Sequence, residues 1–298
     1  MDTWLILAFL APLFWSFTNI LDKFLLEKHA KDPFSLAVYM DIAFFVLSLF
    51  LVLFTDLAAP FSYILIAVLI GLLNFFSFLF GFKAMAVEDA SVVVPLIFVY
   101  PVFTTLFAFL FLGETVSLGQ YAGAALLILS SVLIALKRNL GKLAVSPALK
   151  FMLVSVLLTG AMVTVEKFAL GSISPYALLF WSNFGLLGAS LAALALFPGM
   201  RKRFVGLLHL RPKIAGIAWL CNGTCFVAAL LFYLALSVGP ATLVSSLNAL
   251  QPFFVLVMIL LLSRFLPHLL KEEHTSRMLL LKVLAVLFVL IGSYLVAA

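Results

Sequence analysis

Charge is scarce in this chain: Asp, Glu, Lys and Arg together make up 10% of its 298 residues. A soluble domain carries about a quarter charged residues, so that class is excluded at the outset. Cysteine is scarcer still. The two present, Cys221 and Cys225, lie four apart inside one apolar run. That excludes a disulfide framework and reads as small packing residues rather than a redox or metal pair. The four histidines, His29, His209, His268 and His274, all fall in links or near helix ends. KEEH (271–274) beside His268 reads as a solvated charged loop rather than a metal site.

Motifs are missing as well. The chain has no HExxH, no nucleophile elbow and no phosphate-binding loop, which argues against an enzyme and against ATP coupling within the chain. Nothing calls for a cofactor or a metal. The amino-terminal MDT lacks positive charge, and the first apolar run ends at Asp22-Lys23 rather than at a small-residue cleavage site, so it does not read as a signal peptide. The period-two alternation of a membrane β-barrel is also absent.

What fills the chain is apolar: 66% hydrophobic residues, with a mean hydropathy of +1.29. A helix needs about 20 mostly apolar residues to cross a bilayer. Ten stretches qualify, near 4–26, 33–55, 62–84, 90–112, 119–136, 148–170, 175–197, 214–236, 241–263 and 278–297. The links are too short for a separate soluble domain. The expectation is an all-α polytopic membrane protein of ten transmembrane helices.

The net charge of +6 sorts by side instead of marking a nucleic-acid partner. Seventeen of the eighteen Lys and Arg residues lie at odd-numbered links, from Lys23, Lys28 and Lys31 to Arg264, Lys271, Arg277 and Lys282. Lys167 alone lies on the other side. Basic residues in short loops favour the cytoplasm. Both termini are therefore expected outside, in a plasma membrane (the inner one if Gram-negative). A carboxy-terminal phosphatase fusion should be active and a fluorescent-protein fusion dark; the reverse would overturn this orientation.

The chain also repeats itself. LDKFLL (21–26) matches VEKFAL (165–170), and PFSLAVYMD continues against PYALLFWSN, pairing Asp41 with Asn183. Further on, DASVVVPLIFVYPVF (89–103) matches PATLVSSLNALQPFF (240–254), pairing Pro101 with Pro252. Five helices per copy is an odd number, so the copies at 1–138 and 148–298 are inverted relative to each other. Inverted repeats place a transporter's substrate near the midplane, at the repeat interface.

The stretch AMAVEDASVVVPLIFVYPVFTTLFAFLFLGETVSLGQYAGAALLILSSVLI (84–134) holds a short turn followed by a small residue, and Tyr-Pro in the fourth helix. It then shows Leu-Gly-Glu at that helix's end and Gln-x-x-Gly opening the fifth. In these features the chain resembles the drug/metabolite transporter superfamily, specifically its ten-helix EamA-type members. The resemblance implies a cavity lined by helices 1, 3, 4, 6, 8 and 9, with helices 5 and 10 behind, and a small metabolite as substrate. The chain departs from the pattern at LSRF (262–265), where Leu-Gly-Glu would recur. It departs again in sidedness, since such relatives usually keep their termini in the cytoplasm.

Polar groups in lipid turn inward, which selects candidate residues. Trp15, Thr18, Asn19 and Asp22 share one face of helix 1. Helix 3 offers Asn74 and Phe78, and its repeat mate Asn222, Cys225 and Tyr233. Helix 9 carries Ser245, Asn248 and Gln251, answered by Tyr100 beside Pro101 in helix 4. Trp15, Asn19, Asn74, Phe78, Tyr100, Asn222, Tyr233, Asn248 and Gln251 form the substrate-binding candidates; each amide is equally readable as glue between helices. Pro95, Pro101 and Pro252 read either as static kinks or as hinges.

Four charged residues complete the list as coupling or gating candidates: Asp22, Asp41, Glu166 and Lys167. Asp41 sits eight residues into helix 2, about 12 Å deep at 1.5 Å per residue. It is either an ion-pair partner of Lys23 or a protonatable coupling site. Asp41→Asn should abolish pH-dependent transport in the second case, and an unchanged pH profile would remove that reading. Lys167 and Glu166 are expected to bind a charged substrate group or gate its exit. The functional expectation is a secondary transporter, exporter or exchanger, for a small polar or amphipathic metabolite such as an amino acid. A flippase for a lipid-linked polar headgroup is the alternative, and a membrane-embedded enzyme a distant third. Gly123-Ala124 and Ser130-Ser131 in helix 5 suit close packing, internal or between subunits, so oligomeric state stays open.

Overall fold

The structure is a computed structural model that describes residues 2–28, 33–87, 93, 96–135, 148–207, 211–263 and 276–297. The four histidines, Pro95 and Arg264-Phe265 of the LSRF stretch lie outside them. The described residues form helices: α1 (Thr3–Lys28), α2 (Pro33–Ser48), α3 (Leu51–Phe54), α4 (Phe61–Val87), α5 (Tyr100–Leu112), α6 (Leu118–Ala135) and α7 (Ala148–Ala169). There follow α8 (Pro175–Leu196), α9 (Pro198–Leu207), α10 (Pro212–Val238), α11 (Ala241–Leu247), α12 (Gln251–Ser263) and α13 (Ser276–Ala297). Among the described residues seven helical stretches are long and apolar enough to cross a membrane, and three shorter apolar helices join them. Together they account for the ten spans. Spans 2 and 9 are each divided, into α2–α3 and α11–α12, and the short α9 lies in the link between spans 7 and 8.

Helix packing follows a rule of exchange. Span 1 packs on span 8, and span 6 on span 3. Span 4 packs on span 6, and span 9 on span 1; span 3 packs on span 7, and span 8 on span 2. Spans 5 and 10 pair with each other, as do 2 and 7. Each of these pairings has its counterpart when span n is swapped with span n + 5.

Small residues set how closely these pairs approach. In lipid no hydrophobic force pulls helices together, so backbone-to-backbone packing matters more. On α6 and α13, a Cβ on Gly123 would sit 2.8 Å from the Gly292 carbonyl, and Ser130 Oγ donates to the Ala285 carbonyl at 2.9 Å. The small residues of the fifth span thus serve contact within the chain. Gly292→Leu should lower the thermal midpoint in detergent by several degrees, since overpacking costs about 1–3 kcal/mol.

The core centres on the ninth span, where Ala241 through Leu250 are all buried. Large apolar side chains such as Phe54, Phe61, Phe111, Leu118 and Leu196 point outward and exposed, as a lipid-facing rim demands.

Candidate functional site

Two helix interruptions create the site. In span 4 the chain makes a turn at Phe98-Val99, where Val99 N donates to Leu96 O with three-residue spacing, before α5 starts at Tyr100-Pro101. In span 9 a 3-10 segment, Asn248–Leu250, separates α11 from α12, which opens with Gln251-Pro252. Proline cannot donate a backbone hydrogen bond, so the helix before it tightens or breaks. Pro101 and Pro252 thus each stand second in the helix that follows an interruption.

The interruptions meet. Asn248 Nδ2 donates to Tyr100 Oη at 3.0 Å, and Tyr100 lies 3.5 Å from the Ser245 carbonyl. Nearby, Tyr233 of α10 donates to Glu166 Oε1 of α7 at 2.9 Å, with Ser182 Oγ of α8 at 3.5 Å from the tyrosine oxygen. Glu166 is 2% exposed and lies within electrostatic reach of Tyr100. Trp15 packs against Phe232, its ring centroid 5.6 Å away. Among the described residues five buried polar atoms find no partner: Glu166 Oε2, Asn248 Oδ1, Asn183 Nδ2, Thr242 Oγ1 and, on α13, Ser293 Oγ. Unpaired buried polar atoms are costly and uncommon, so several in one core call for explanation.

Beside this cluster the turn between α10 and α11 is held by two charges. Lys167 Nζ donates to the carbonyls of Leu236 and Gly239, both at 2.8 Å. Glu114 accepts from Ala241 N and Thr242 N, again at 2.8 Å each. A helix end is negative at its carbonyls and positive at its amides, so cation and anion each sit where the backbone favours them. Gly113 makes this possible: its φ of +64° ends α5 in the left-handed region, and Glu114 emerges beyond it.

The structure gathers Tyr100, Glu166, Tyr233 and Asn248, with Trp15 at the edge. The other candidates are placed elsewhere. Asn222 donates to Met40 Sδ at 2.8 Å and to its own helix at Ala218 O, 3.0 Å. Asn19 and Phe78 are exposed and Asn74 is half-buried; none bonds to the cluster among the described residues. Gln251 contributes its backbone carbonyl, which accepts from Ser16 Oγ at 3.0 Å. Asp22 accepts from Cys221 Sγ at 3.1 Å, and Asp41 Oδ2 from Ser190 Oγ at 2.6 Å. Among the described residues no three His, Cys, Asp or Glu side chains gather into a metal-holding group.

The family model of the EamA-like transporter family matches residues 2–136. That match, confined to the first half of the chain, places it in the drug/metabolite transporter superfamily. It is a multi-pass membrane protein of a transporter family. A solved crystal structure, described only as that of a protein, covers 99% of the EamA-like chain with 97% of its own length. Its TM-score is 0.74 at 13% sequence identity, a likeness of fold alone. No curated protein matches the sequence.

Sequence reasoning missed three features of this EamA-like chain. Ser182 and Asn183 come from the seventh span, outside the helices that the resemblance places round a cavity; the pairing of Asn183 with Asp41 was the available signal. Glu114 was visible in Leu-Gly-Glu without a role. Ser190, the partner of Asp41, carried no signal at all.

Proposed function

We propose that this chain is a secondary transporter, an exporter or exchanger, carrying a small polar or amphipathic metabolite by alternating access of its two copies. The copies are taken as 1–138 and 148–298. One observation carries the reading: matching broken helices from both copies meet at Tyr100–Asn248, beside a buried carboxylate with an unpaired oxygen. Irregular backbone within a membrane is tolerated only where protein or a water-filled path satisfies it. Interrupted helices at a repeat interface supply such polar groups midway through a bilayer. Tyrosine rings, amides and a carboxylate in apolar surroundings suit a solute with both an apolar part and hydrogen-bonding groups.

We place the protein in the plasma membrane with both termini outside, on the charge asymmetry of its links. The exposed Arg201, Lys202 and Arg203 of α9 then lie at the cytoplasmic surface. The test is flux in proteoliposomes loaded with metabolite pools chosen by thermal-shift screening. The combined variant Tyr100→Phe, Asn248→Leu should lose flux by about tenfold or more, from two hydrogen-bonding groups removed at roughly 0.5–1.5 kcal/mol each. Undiminished flux would move the site elsewhere.

A further inference from the structure

Three acids within the membrane-spanning helices accept from neutral donors, and the lysine beside one of them is engaged elsewhere. Asp22 accepts from a thiol, Asp41 from a serine hydroxyl and Glu166 from a tyrosine hydroxyl. Lys167, next to Glu166 in sequence, points its amine at the carbonyls of Leu236 and Gly239 and lies near Glu114. Glu166 is the most buried of these acids, and its Oε2 has no partner among the described residues.

Either protonation state leaves that atom wanting. An ionised Oε2 needs a donor, and a protonated one needs an acceptor. Asn248, whose Nδ2 donates to Tyr100, presents a second acceptor, Oδ1, that is unpaired among the described residues. Acceptors without donors, beside the rings of Tyr100 and Tyr233, describe the complement of a cation.

Resting on the transporter reading above, we propose that the cargo carries a protonated amine that docks on Glu166 Oε2. A carboxylate in low dielectric binds an ammonium more strongly than any neutral donor, because both charge and hydrogen bond contribute. An anionic solute would meet repulsion from the same atom.

The experiment uses the full-length protein in proteoliposomes and a panel of primary amines of increasing size, including 2-phenylethylamine. Each is paired with the alcohol and the carboxylate of the same skeleton. At least one amine should be carried, its alcohol and carboxylate about tenfold or more slower. Glu166→Gln, which keeps the Tyr233 bond, should erase that preference, whereas the surface control Asp56→Asn should retain it. Amine binding should also raise the thermal midpoint of wild type and leave that of Glu166→Gln unmoved. Should alcohols or carboxylates be carried as well as amines, the amine assignment falls and the transporter reading stands. An amine preference that survives Glu166→Gln likewise overturns the assignment. If no member of the panel is bound or carried, the amine assignment falls, and flux of pools from the preceding screen then decides the transporter reading alone.

Discussion

Lys167→Met is expected to destabilise the protein by roughly 2–4 kcal/mol, because it strips two helix-end carbonyls of their donor at about 1–3 kcal/mol each. Partial access of water to this half-buried site keeps the figure below the sum of the extremes. Glu114→Gln should cost less, about 1–2 kcal/mol, since an amide still presents one acceptor to the α11 amides but loses the charge. The two residues grip opposite sides of one turn and interact electrostatically. The double variant should therefore depart from additivity by about 0.5 kcal/mol or more. Thermal unfolding in detergent, read by tryptophan fluorescence, measures all three. A Lys167→Met protein as stable as wild type that has lost transport would return the lysine to a cargo-binding role.

This turn shows what could be read without the fold. Lys167 stands out in the sequence as the one basic residue on the even-numbered side. Its acceptors lie 69 and 72 residues away, in carbonyls that no local pattern announces. The ten spans were legible because about 20 apolar residues in a row have few soluble explanations. The paired interruptions were legible through Pro101 and Pro252, because proline's missing donor is a property of the residue itself. Asn222 was harder. Its place on an apolar helix marked it as inward-facing, but inward included Met40, and helical periodicity cannot choose among neighbours.

Glycine was the least legible of all, since its meaning depends on what stands opposite. Substitution of Gly71 or Gly185 is expected to be the most damaging small change in the protein. A Cβ on Gly71 would overlap the Ser182 carbonyl and the Leu186 amide of α8, and one on Gly185 would overlap the Val68 carbonyl of α4. These are backbone atoms and cannot swing aside, so α4 and α8 must separate. Gly71→Ala and Gly185→Ala should each cost about 1–3 kcal/mol, and the valine variants more. Gly188, also on α8, offers the control: nothing lies within 4 Å of its added Cβ. Gly188→Ala should be neutral or stabilising by up to about 1 kcal/mol, from the lower backbone entropy that alanine surrenders in a helix. Equal thermal midpoints for all three alanine variants would show that α4 and α8 do not cross at these glycines. The consequence extends to the site. Ser182 stands both against Gly71 and 3.5 Å from the Tyr233 oxygen that donates to Glu166. Pushing α8 outward should therefore slow flux in Gly71→Ala even well below its melting temperature, a loss that Gly188→Ala does not share.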